Sequence, residues 1–193
     1  KTSAGTWEDG AASVDNVTVT PAPIKSTKVY PNSETDYSGS TFDAKDSTSV
    51  TLTVSVTSDE SAGLTYIWCR SINDEWRWLT NSSITQDLTE KYTGADSKTL
   101  SITELPAGQT FSYKVQIATG DGYKCYSEPF TVTRHQHSWT YSASGATITT
   151  KCTAEGCYLT DGNGGSVTIK APAELTYSGE GKPATGTASS DWQ

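Results

Sequence analysis

Apolar residues in this chain recur at every second position over short runs, and no segment carries a sustained helical spacing. The run Val50-Thr51-Leu52-Thr53-Val54-Ser55-Val56 alternates without a break, which sets Val50, Leu52, Val54 and Val56 on one side of an extended strand. Leu64, Tyr66 and Trp68 alternate with Thr65, Ile67 and Cys69 in the same way, so Trp68 is predicted to point into a core and Cys69 away from it. Further strands are predicted at 75–79 and at 98–102, with Leu100 and Ile102 inward. Another is predicted at 111–118, with Phe111, Tyr113, Val115 and Ile117 on one face. Gly120-Asp121-Gly122 supplies a tight hairpin turn into a return strand over 123–133. Short edge strands are expected at 17–20 and 27–30, on either side of Pro21 and Pro23. Residues 37–47 and 81–96 read as polar connections.

The texture changes at Arg134-His135-Gln136-His137. Beyond it, 137–141 and 146–150 flank Ser144-Gly145 as a hairpin, and Cys152 and Cys157 bracket a small loop. A strand follows over 164–172, and then Leu175-Thr176-Tyr177-Ser178-Gly179 and Lys182-Pro183-Ala184-Thr185.

Taken in order, the first set of strands resembles strands B, C, E, F and G of an immunoglobulin-like domain, over roughly 50–132. Tyr113 sits two residues before Val115, as the corner tyrosine of that fold sits before its second core cysteine. Val115 and either Leu52 or Val54 stand where the inter-sheet disulfide would be. The first part looks closest to bacterial immunoglobulin-like modules. Over 134–187, His-x-Trp-x-Tyr, Thr-Ile-Thr-x-x-Cys, Gly-Gly-Ser-Val-Thr-Ile-x-Ala-Pro and Leu-Thr-Tyr-x-Gly resemble Cys-containing repeat modules of large cell-surface proteins of Gram-positive gut bacteria. The resemblance implies display on a cell surface and no particular chemistry. The expected organisation is all-β: a linker over 1–13, an immunoglobulin-like β-sandwich over 14–133, and a small β-rich module over 134–193 with a Cys-clipped hairpin, ending within a next repeat.

Composition narrows the setting. The 193 residues are 34% hydrophobic, which suits a thin two-sheet core. A net charge of −8 argues against nucleic acid and against anionic lipid surfaces. No apolar run is long enough to cross a membrane, and the absence of methionine is expected of a segment excised from a longer chain.

The chemistry-bearing residues are few. Four cysteines in an acidic, Thr-rich β chain suggest disulfides and an oxidising compartment, and allow three pairings. The domain split favours Cys69–Cys125 with Cys152–Cys157. For the first pair the expected strand order demands a bulge or a different path, because bonded Cα atoms lie within about 7 Å. Cys152 and Cys157 with His135 and His137 also have tolerable zinc ligand types, but both histidines precede the hairpin, so a disulfide clip is expected and no metal or other cofactor. Trp76 and Trp78 flank Arg77 and share one side of their strand. They either complete the core beside Trp68 or form an exposed stacking platform. Trp76, Arg77, Trp78, Tyr123 and Tyr126 are the candidate binding residues. Asn16 and Asn81 match the N-glycosylation pattern, which a bacterial source would leave without meaning.

No catalytic residues are expected, since no Ser/His or Cys/His arrangement, phosphate loop or dinucleotide fingerprint stands out. The expectation is a monomeric, extracellular, non-catalytic binding or adhesion module, recognising a host protein (immunoglobulin among the candidates) or a glycan. The alternatives are a passive spacer and a carbohydrate-binding module attached to a secreted glycosidase.

Overall fold

The computed structural model describes residues 22–59, 63–80, 89–171 and 185–189. The expected linker, the strand at 17–20, Trp7, Trp192, Asn16 and Asn81 lie outside the described residues. The described chain is all-β. A sandwich of two sheets is followed by a separate four-stranded sheet.

The first sheet contains β1 (Ile24–Pro31), β3 (Val50–Ser58), β7 (Thr99–Thr103) and β6 (Lys91–Thr93), in that spatial order. The second contains β2 (Thr41–Asp43), β10 (Phe130–Thr133), β8 (Thr110–Ala118), β4 (Thr65–Ile72) and β5 (Glu75–Trp78), with β9 (Lys124–Tyr126) also paired to β8. Among the described strands of the sandwich, only the β2–β10 pair is parallel. This is the ABED and GFC sheet order of an immunoglobulin-like sandwich, with an extra strand after C and an early strand beside G. Two strands fall in stretches read as polar connections. β2 is held at the edge by backbone pairing to β10, and β6 by pairing to β7, although each presents a single non-polar residue.

The alternation predicts the core. Val50, Leu52 and Val54 of β3 are buried, as are Leu100 and Ile102 of β7 and Phe111, Tyr113, Val115 and Ile117 of β8. Trp68 is fully buried opposite Val115, and its indole Nε1 donates a 2.8 Å hydrogen bond to the carbonyl of Ser97. These side chains form one cluster with residues of both sheets, the contact that makes the pair a sandwich.

Tyr113 departs from the corner arrangement. Its hydroxyl lies 3.5 Å from that of Tyr92 on β6, inside the sandwich. Tyr92 donates a 2.6 Å hydrogen bond to the buried Glu90, which pairs with Arg70 of β4. The Arg70 guanidinium also lies over the ring of Phe111, 4.4 Å from its centroid. A buried charge in a thin apolar core requires such a partner.

The third sheet orders β11 (Trp139–Ser144), β12 (Thr147–Cys152), β13 (Asn163–Lys170) and β14 (Thr185–Ala188). The β11–β12 hairpin turns at Gly145, which has φ +58, and pairs Trp139 with Cys152. A 3-10 turn, Thr160–Gly162, leads into β13. Gly162 has φ +70, and a Cβ there would stand 2.3 Å from the carbonyl oxygen of Cys152, so the chain passes this point only as glycine.

Candidate functional site

Two regions carry chemistry. The first is the joint between sandwich and small sheet. The register that pairs Trp139 with Cys152 brings the residues just before β11 alongside those just after β12. His135, His137, Cys152 and Cys157 meet there, and one donor atom from each lies within 4.8 Å of all the others. That the histidines precede the hairpin is therefore what delivers them to the cysteines.

All four cysteines are unpaired, which corrects both expected disulfides. Cys69 is opposite Lys114 on β8, while Cys125 is opposite Ile117. Strand β8 runs between them, and they face opposite sides of the sheet: Ile117 is core, whereas Lys114 points away from it. One cysteine pair approaches to 3.5 Å. It is Cys152 with Cys157, given their place in the cluster, and it stands well outside the 2.03–2.05 Å of a disulfide.

The surroundings orient each donor. His137 Nδ1 is 3.7 Å from the sulfur of Cys157, while its Nε2 donates a 2.9 Å hydrogen bond to Asp46 Oδ1 on the sandwich. Tyr158 donates to the other oxygen of the same carboxylate. Burial works against the charge on Asp46, yet these bonds from Tyr158 and His137 hold its carboxyl below the ordinary value. Burial also disfavours the Cys152 thiolate. The imidazoles of His135 and His137 and the backbone N–H groups of Ala154 and Ser138 outweigh it and bring the thiol down to about 6. The N–H of Leu159 points at Cys157 in the same way, although burial and the neighbouring Cys152 hold that thiol up. His135 Nε2 is buried and has no hydrogen-bond partner. Trp139 stacks on His137 with centroids 4.5 Å apart and closes one side. Asp46 and Tyr158 carried no motif in the sequence.

The second region is the outer face of the larger sheet. Trp76 (36% exposed), Trp78 (46%) and Tyr126 (46%) lie there with Ile67 (42%). Cross-strand register sets Trp78 with Cys69 and Lys114, and Ile67 with Gln116 and Tyr126. The Lys114 ammonium sits over the rings of Trp76 and Tyr126, 4.3 and 4.6 Å from their centroids. Trp78 and Tyr126 are 6.3 Å apart and inclined at 31°. The two tryptophans are thus outside the core that Trp68 fills. Two expected members are elsewhere. Arg77 alternates to the other side of β5, opposite Arg70, and pairs with Glu75 at 3.0 Å. Tyr123 packs against the sandwich core.

No family model matches this chain, and no curated protein matches it.

Proposed function

We propose that this chain is a non-catalytic extracellular module of a bacterial surface protein, and that it binds a host protein through the outer face of its larger sheet. The observation that carries the reading is the exposure of Trp76, Trp78, Tyr126 and Ile67 on one face. Large side chains half in water are costly to leave together unless something covers them, and Trp and Tyr dominate binding energy at protein interfaces. Lys114 bridges two of the rings, so the face loses little side-chain freedom on binding. The acidic, Thr-rich composition and the surface-protein motifs support the extracellular setting.

A protein partner is favoured over a sugar because the Lys114 ammonium already occupies a face of Trp76 and of Tyr126, the surfaces on which a sugar ring would stack. A glycan is the second reading, supported by the inclined pair Trp78 and Tyr126. The test exposes immobilised wild type and the Trp76→Ala/Trp78→Ala variant to serum and mucus proteins and to a glycan array. A protein retained by wild type and released by the variant supports the first reading, and glycan signals with the same dependence support the second. Identical profiles for the two proteins leave a spacer.

A further inference from the structure

We propose that His135, His137, Cys152 and Cys157 bind one Zn²⁺ ion tetrahedrally, and that the ion fastens the small sheet to the sandwich. Two thiolates and two imidazoles are a structural zinc donor set, whereas hard cations such as Ca²⁺ take oxygen ligands. The spacing fits. Metal–ligand bonds of about 2.0–2.3 Å place tetrahedral donors roughly 3.3–3.8 Å from one another. The two sulfurs are 3.5 Å apart, and Cys157 Sγ is 3.7 Å from His137 Nδ1.

The second layer of contacts fits as well. A ligating imidazole commonly gives its other N–H to a carboxylate, which fixes the tautomer and frees the opposite nitrogen. His137 does this with Asp46, leaving Nδ1 toward the sulfur. Buried polar atoms are satisfied in nearly every native structure, and His135 Nε2 is not. A Cys152–Cys157 disulfide would leave that nitrogen as it is. A zinc ion bound through that nitrogen would give it a partner.

The position explains what the ion would do. The histidines belong to the segment joining β10 to β11, the cysteines to the small sheet, and Asp46 to the sandwich. This site is separate from the exposed aromatic face, so the proposal stands or falls independently of the binding reading.

The test uses the full chain, reduced, stripped with a chelator and titrated with Zn²⁺ and with Co²⁺. Expected are one Zn²⁺ retained per chain after desalting, a raised melting temperature, and a Co²⁺ spectrum with the thiolate charge-transfer and d–d bands of a tetrahedral site. Asp46→Asn, which touches no ligand–metal bond, is expected to weaken zinc affinity about 10- to 100-fold while keeping that spectrum. It serves as the readout if the His135→Ala/His137→Ala variant fails to fold. The proposal is overturned if the reduced chain retains no zinc, if the His135→Ala/His137→Ala variant binds as tightly as wild type, or if Cys152 and Cys157 form a disulfide in excess Zn²⁺ with the metal left in solution.

Discussion

Nε2 of His137 lies 2.9 Å from Oδ1 of Asp46, and this hydrogen bond crosses from the lead-in of the small sheet to the sandwich. Two further contacts run alongside it. Tyr158 donates to the same carboxylate, and the backbone N–H of His135 donates to the carbonyl of Lys45 at 3.1 Å. The loop after β2 thereby holds both ends of the segment where the histidines and cysteines converge. Among its described residues the small sheet buries few side chains, and it leans on this seam.

Replacing Asp46 by alanine should loosen the small sheet selectively. The carboxylate is about half exposed (47%), so its hydrogen bonds are discounted for solvent to about 1 kcal/mol in the metal-free protein. Amide exchange should show about fivefold less protection in β11 and β12, with β8 unchanged. Equal loss in both would mean that sandwich and small sheet unfold as one unit.

The tryptophans should separate by depth. Trp68→Ala removes a fully buried indole and its bond to Ser97, at a cost of about 3–5 kcal/mol. Trp76→Ala and Trp78→Ala remove half-exposed rings, and each should shift stability by about 1 kcal/mol or less. Urea denaturation distinguishes the two classes. A large loss from either surface variant would show that these rings support the fold rather than a partner.

Much of this fold is legible in alternation alone. Val50, Leu52 and Val54 announce their strand and their buried face, and so do Phe111 to Ile117. Two of the strands are not legible, because β2 and β6 each bring only one core-side ring, Phe42 and Tyr92, too few to show an alternation, and their pairing with β10 and β7 lies outside any short window. The cysteines show where local reading stops. Alternation places Cys69 on the outer face. That Cys125 faces inward depends on its pairing with Ile117, a register that no short window contains. The ion pair of Arg70 with Glu90 joins the two sheets, so it depends on how they stack. The joint was closer to legible: continuing the register of β11 and β12 by two residues sets His137 opposite Ala154, two positions beyond Cys152 and on the same side of the hairpin.

Cys69 should be inert in the native chain. Burial pushes its thiol up to about 11, with Lys114 pulling the other way. The thiolate is the reactive form, so little of it is present near neutral pH. Iodoacetamide should label Cys69 at least a hundredfold more slowly in the native protein than in urea, read by peptide mass mapping. The same map should contain no peptide joining Cys69 to Cys125. Finding that peptide would require β8 to lie elsewhere than between their strands.

The buried tyrosines should make the fold sensitive to alkali. Burial raises the Tyr113 hydroxyl from 10.0 to about 12, against the pull of Tyr92 and Arg70, and burial raises Tyr92 further still. Below about pH 10 both folded and unfolded chains keep these protons, and stability is unaffected. Above it the unfolded chain ionises first. It then binds fewer protons than the native state, so stability falls as pH rises from about 10 toward 12. For Tyr113 alone the loss is about 2–3 kcal/mol across that window. Tyr113→Phe removes one of the two titrations, so its stability should fall less steeply between pH 10 and 12 than wild type's. Urea denaturation at intervals through the window measures both slopes. Parallel slopes would mean that Tyr113 ionises in the native chain as readily as in the unfolded one, and that the pair with Tyr92 is open to solvent.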